Sequence, residues 1–352
     1  MASRPVRSNR HPVCLIPFPC KTSLVLRKSH TTLAQYKFPR KPLRQNPLSA
    51  DSAPQASLPG CRHPAVPPKA LALTLTVTLA VLASALLHAT WNALVKTGAD
   101  RLMMMGWIAA ATGLVALPFL PFIPLPGWDV AQILALSFLL HAGYKLFLVK
   151  CYEHGDFGQV YPLSRGLAPA IVTIVGAIWL GEILPTPAFV GIALVALGIV
   201  SLAFRRTNGA GLPNDPRALA YALGTSLFIA AYTLNDGLGG RIAESPHIYV
   251  IWLFAGDGLI FFLLVLARRG RKFLVPQRAM AIGFAGGVMS VVAYWLVIWA
   301  MTLAPLGPVA ALRETSVVFA ALISGLLLKE GLGWRAIAAA CVVAAGVILL
   351  RF

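Results

Sequence analysis

The chain has 352 residues, of which 58% are hydrophobic and only 12% charged, with a formal net charge of +18. A mean hydropathy of +0.75 with so little charged surface excludes a soluble domain of this size and places the chain among integral membrane proteins. The basic balance does not indicate nucleic acid. Residues 1–69 hold 12 of the 30 Lys and Arg and one acid, Asp51, and basic residues beside membrane spans follow from topology alone. The five cysteines show neither metal nor redox spacing, so they read as small apolar residues and no cofactor or metal is expected.

Residues 1–69 are rich in Pro, Ser and Arg and lack apolar periodicity, too little apolar surface to offset ordering entropy. Two readings fit: an organellar transit segment, or a stretch included upstream of the true start. From Leu71 onward the chain becomes a succession of apolar runs, each long enough to cross about 30 Å of hydrocarbon as a helix. Ten are expected, at 71–95, 102–123, 130–150, 158–180, 186–204, 217–238, 247–267, 279–302, 308–328 and 334–351. Proline and glycine clusters separate them, as at Pro124–Gly127, Pro185–Pro187 and Pro305–Pro308.

In the first span His88, Trp91 and Asn92 lie three and four residues apart, on one helix face that Lys96 extends. They either touch a central cavity or serve as interface belt and interhelical ties. The third span carries Tyr144 and Lys145; Lys145 either partners Glu314 or snorkels toward the interface with Lys150, and snorkelling is the expected reading. The fourth span opens with Tyr161 and Arg165, three residues after Pro162. The sixth offers Tyr232, Asn235 and Asp236 at the spacing of the first-span trio, and the seventh an intramembrane acid, Asp257. Tyr294, Trp295 and Trp299 in the eighth span are cavity candidates, and the ninth carries Arg313 followed directly by Glu314. Adjacent residues point about 100° apart on a helix, so Glu314 is not expected to be the simple partner of Arg313. Glu314, Asp236 and Asp257 are candidate coupling groups, because ionisable residues inside a membrane are costly and mark function or pairing.

The chain repeats itself. Arg165 and Arg313 are 148 residues apart, as are Glu182 and Glu330, and Gly198 and Gly346. A constant offset marks internal duplication, and ten spans divide into two fives. Because five is odd, the second half would enter the membrane from the opposite side. The expected fold is therefore an all-α integral membrane protein of ten transmembrane helices in two inverted five-helix repeats, 71–204 and 217–352. Lys and Arg gather in the loops after odd-numbered spans, which by the positive-inside rule places both ends of the core outside; the basic tail pulls the other way, and orientation stays open.

Arg165 and Arg313 have two readings. Each is a snorkelling or helix-pairing residue, or the two face a cavity together across the repeat axis and bind an anion through their planar forks. Metalloprotease, serine-hydrolase and nucleotide-loop motifs do not occur in the sequence, so an ion or substrate gradient is the expected energy source.

These features resemble the drug/metabolite transporter superfamily in its ten-span EamA-like branch, over about residues 71–352. The resemblance rests on the paired repeats, each closing with Leu180-Gly181-Glu182 or Leu328-Lys329-Glu330 and then a glycine-containing span, and on Leu87–Lys96. The second repeat has Lys329 where the first has Gly181. The stretches Pro162–Gly166 and Leu312–Ser316 are similar to a subgroup sometimes associated with phosphonate utilisation. The resemblance implies a secondary transporter for a small anionic or zwitterionic metabolite, working by alternating access, with its cavity between the repeats near the bilayer midplane. His88, Trp91, Asn92, Tyr161, Arg165, Asn235, Tyr294, Arg313 and Glu314 are the candidate substrate contacts. The expected partners are a small-molecule substrate and the bilayer of the cell (inner) membrane, or of an organelle if the tail is a transit segment. A second copy of the chain is the one protein partner admitted, and nucleic acid is not a partner. The rival reading is a membrane-embedded enzyme or sensor that binds a phosphate-bearing lipid headgroup.

Overall fold

The computed structural model describes residues 73–96, 100–155, 157–203, 215–275, 278–327 and 334–351. The tail, with Asp51, and the loop holding Lys329 and Glu330 lie outside the described residues. Twelve α-helices occur among them: α1 (Leu75–Lys96), α2 (Arg101–Ala116), α3 (Trp128–His154), α4 (Phe157–Gly166), α5 (Ala168–Trp179), α6 (Thr186–Ala203), α7 (Pro216–Ile242), α8 (Pro246–Arg269), α9 (Arg278–Leu303), α10 (Leu306–Glu314), α11 (Ser316–Leu327) and α12 (Trp334–Leu349). Eight described segments are long and apolar enough to cross a bilayer; Thr186–Leu202 and Ile337–Leu349 are shorter apolar helices.

The starts of the long helices follow from local chemistry. Asp100, Asp215 and Ser245 each accept a hydrogen bond from a first-turn N–H, at 3.0, 2.8 and 3.2 Å, and Pro216 and Pro246 occupy first-turn positions where no N–H is needed. Two expected spans are broken in the middle. Residues 158–180 split into α4 and α5 at Leu167, where Pro169 cannot donate to the carbonyl four residues back and its ring crowds it. Residues 308–328 split into α10 and α11 at Thr315, whose hydroxyl donates to Leu312 O at 2.6 Å while its N–H donates to the same carbonyl at 3.1 Å. That pair of bonds tightens the last turn and ends α10. The two breaks, at 167 and 315, stand at the 148-residue offset already seen between Arg165 and Arg313.

The bundle is apolar outside and polar within. Leu79, Ile178, Trp179, Leu197, Leu227 and Leu259 are exposed, while Arg165, Thr233, Asp236, Arg313, Glu314 and Ser316 are buried. This inverts a soluble protein and suits a lipid solvent, which requires polar groups to be satisfied internally. Helix α1 packs along α9 and α3 along α7, while α2 lies against α8 and α6 against α12. Glycines set the last two contacts. A Cβ on Gly191 would lie 2.7 Å from Gly346 O, and one on Gly346 equally 2.7 Å from Gly191 O. A Cβ on Gly198 would meet Val343 and Ala339, so α6 and α12 run antiparallel. Between α2 and α8, a Cβ on Gly258 would come within 2.6 Å of Ala109 O and Gly113 N. Close backbone approach of this kind replaces the hydrophobic drive that lipid removes.

Candidate functional site

The two helix breaks meet in the interior, and each presents an arginine in the last turn of its short helix. A cation there is favoured by the negative end of the helix. Arg165 and Arg313 are 1% and 2% exposed, so neither snorkels. One carboxylate holds both: Arg165 Nη1 donates to Glu314 Oε2 at 2.6 Å, and Arg313 donates to Glu314 Oε1 from Nη2 at 2.9 Å and Nε at 3.1 Å.

The expectation that Glu314 could not partner its neighbour is corrected. The 100° argument holds for Cβ directions, whereas the arginine arm is long enough to fold back, and Glu314 is where α10 stops being regular. Arg165 also donates through Nη2 to His88 Nε2 and lies over the Tyr161 ring, 5.4 Å from its centroid. Arg313 Nη2 donates to Thr233 Oγ1 at 3.2 Å and its guanidinium stands 5.6 Å from the Tyr232 ring centroid. The cluster joins α1, α4, α7 and α10. It sets two permanent cations against one carboxylate.

His88 is held from its own helix. Because Arg165 can only donate, His88 Nε2 must accept, and the ring proton of a neutral imidazole then sits on Nδ1. The 3.3 Å approach of Trp91 Nε1 to Nδ1 is therefore an edge contact, in keeping with ring centroids 4.9 Å apart at 80°. Asn92 Nδ2 donates to His88 O at 2.8 Å, which makes Asn92 a brace for the first-span face. Asn235 is not brought to the cluster; its amide donates to Ile133 O of α3 at 2.9 Å and ties two helices. Trp295 points away as well, donating to His247 Nδ1 at 2.6 Å.

Asp236 and Tyr294 meet in a second polar knot. Asp236, fully buried, accepts on Oδ1 from Ser137 Oγ and from Tyr249 OH at 2.8 Å, and on Oδ2 from Tyr294 OH at 2.5 Å, with His141 Nε2 at 2.9 Å. The His141 ring stacks on Tyr232, with centroids 4.4 Å apart, so Tyr232 lies between this knot and Arg313. Asp257 belongs to a third group, in which Lys145 Nζ donates to both its oxygens at 2.7 and 2.6 Å and stands 4.8 Å from the Phe261 ring centroid. Lys145 thus does not snorkel. Its ammonium is satisfied by an acid one helix away, which spares it the reach to the interface.

Glu182 ties the first half to the second. Gly181, at φ +66°, ends α5 in a left-handed turn that lets the Glu182 N–H donate to Gly176 O at 3.1 Å. Its side chain then accepts from Leu306 N at 2.9 Å, at the start of α10, and lies 2.7 Å from Arg241 Nη1. Arg241 in turn donates to Met301 O and Ala304 O, near the end of α9.

The residues that sequence reasoning passed over are Ser137, His141, Thr233 and Tyr249. Ser137, His141 and Lys145 recur every four residues on α3, and Thr233 and Asp236 are three apart on α7. A polar stripe at helical spacing in an apolar span is the signal that would have found all of these but Tyr249, which lies on α8.

Comparison with known proteins accords with this architecture. Residues 216–352 match the family model of the EamA-like transporter family. A solved crystal structure, titled only as that of a protein, superposes with a TM-score of 0.63 at 16% identity, covering 78% of this chain and 96% of its own. At that identity it establishes a shared fold and nothing more, and its coverage extends the likeness in fold well beyond residues 216–352. No curated protein matches the chain.

Proposed function

We propose that this multi-pass membrane protein, whose residues 216–352 match the family model of the EamA-like transporter family, moves a small anionic or zwitterionic metabolite across its membrane. The carrying observation is the Arg165–Glu314–Arg313 cluster. Two buried guanidiniums share one carboxylate, and burying like charges with too few counterions is costly unless a ligand supplies the rest. Arginine forks match a carboxylate or phosphonate through paired hydrogen bonds. Tyr161, His88, Thr233 and Tyr232 shape the surroundings.

The transport cycle we infer is alternating access between two inverted five-helix repeats. Three observations support it. The helix breaks fall at equivalent positions, 167 and 315. Gly191 meets Gly346 while Gly198 meets Ala339, a reciprocal pairing of α6 with its repeat equivalent α12. These two helices run antiparallel, which a two-fold axis in the membrane plane requires and an axis along its normal forbids. Broken helices at mid-membrane are also where transporters of this design place their ligands. The two shorter apolar helices, α6 and α12, would complete ten spans. The proposed location is the cell (inner) membrane.

Counterflow in sealed proteoliposomes tests this reading with labelled methylphosphonate, succinate and glycine betaine as probes. Exchange of an anionic or zwitterionic probe, chemically unchanged and abolished by replacing Arg165 or Arg313 with Gln, is the expected result. No exchange of any probe overturns it. A probe returned chemically altered would instead favour the enzyme reading.

A further inference from the structure

Four carboxylates are buried among the described residues: Glu182, Asp236, Asp257 and Glu314. Three of them face a Lys or Arg side chain. Glu182 lies 2.7 Å from Arg241, Asp257 accepts twice from Lys145, and Glu314 accepts from two arginines. A proton arriving at any of these would have to displace a cation that can only donate. Asp236 differs. Three of its partners are hydroxyls, which either donate or accept, and the fourth is an imidazole nitrogen, which donates or accepts according to the ring's tautomer. The same four neighbours can therefore satisfy Asp236 charged or protonated, with no side chain moved, only hydroxyl hydrogens turned.

We propose that the Asp236–His141 pair is a proton-binding site coupled to the anion centre, so that one proton and one anion are carried together. The proton is shared between Asp236 Oδ2 and His141 Nε2, 2.9 Å apart. The link is Tyr232, stacked on His141 on one face and under the Arg313 guanidinium on another. Thr233 touches Arg313, and Asp236 follows it on α7 by one turn, a rise of about 4.5 Å.

The groups that face the pair come from every helix around it. Ser137 and, one turn beyond His141, Lys145 with its Asp257 come from α3 and α8; Tyr249 comes from α8, Tyr294 from α9, and Tyr232 from α7 with Arg313 of α10 behind it. None of the groups in contact with Asp236 is a Lys or Arg.

The sign of the coupling follows. A negative Asp236 repels an anion arriving at Arg313, and a proton removes that repulsion. Anion and proton therefore bind with mutual reinforcement, by the same factor in each direction. This coupling presupposes the anion-transport reading above, and its test separates the two.

Infrared difference spectra of the substrate-free protein between about pH 8 and about pH 5 should show a carboxylic-acid C=O band that Asp236→Asn lacks. Over the same range, affinity for methylphosphonate or succinate should rise at least about fivefold in wild type, the lower end of common coupling energies. It should stay flat in His141→Gln, with monodispersity in detergent checked for both variants. Absence of the infrared band, or pH-independent binding in wild type, refutes the coupling while leaving the anion site standing. No binding of either probe at any pH refutes the anion site and the coupling with it.

Discussion

Replacing Glu314 with Gln removes the single carboxylate between two buried arginines and tests whether that centre awaits an anion. In the native arrangement Glu314 Oε2 takes Arg165 Nη1 at 2.6 Å, and Oε1 takes Arg313 Nη2 and Nε at 2.9 and 3.1 Å. Gln keeps one carbonyl oxygen but turns its amide N–H₂ toward the other guanidinium, donor against donor. Three charge-assisted bonds at about 1.5–3 kcal/mol each overstate the loss, since they share one side chain. Breaking a buried pair from one side costs about 3–5 kcal/mol. At roughly 2–4 °C per kcal/mol, the thermal midpoint in detergent should fall by on the order of 10 °C.

An anion that seats between the arginines restores what the carboxylate supplied. At a hundred times its dissociation constant, a ligand stabilises by about 2.7 kcal/mol, more than half of the loss. The expected outcome is a strongly destabilised Glu314→Gln protein whose midpoint rises with methylphosphonate or succinate by several degrees more than wild type does. An equal and small response in both proteins, or a variant as stable as wild type without anion, would show that the centre is structural and balanced.

The other predictions are shorter. Arg165→Lys and Arg313→Lys keep the charge but lose the fork, so expression should hold while apparent probe affinity falls about 10- to 150-fold, the loss of one charge-assisted hydrogen bond; wild-type affinity in both would end the anion-site reading. Lys145→Met or Asp257→Asn alone should destabilise by about 3–5 kcal/mol, whereas the double change Lys145→Met with Asp257→Leu should recover most of it; equal loss in singles and double, by thermal midpoint, would deny that the 2.6 Å pair is the reason. Gly258→Val should force α2 from α8 and cost about 1–3 kcal/mol or more, because even a Cβ there lies 2.6 Å from Ala109 O; an unchanged midpoint would refute the close packing.

What the linear sequence determined is what depends on local composition and spacing. Membrane character, the apolar segments, the recurring offset of 148 and the two arginines within apolar segments all depend on composition and spacing along the chain, and each was legible there. The trio His88, Trp91 and Asn92 was likewise legible as one face, because helical spacing places it so. Pairing was not. Lys145 reads as a snorkelling residue until Asp257, 112 residues away, is seen to meet it. Asn235 looks equivalent to its neighbour Asp236 until the helix rotation sends one to α3 backbone and the other into the knot with His141.

The breaks at 167 and 315 show the same division. Pro169 announces the first, while the second depends on a threonine hydroxyl whose choice of carbonyl only the folded turn displays. That Glu314 binds both arginines required tertiary structure, because it turns on the reach of long side chains across four helices. In a medium without water the partner of a buried charge must be another part of the chain or a bound ligand, and the sequence records the charge without recording which.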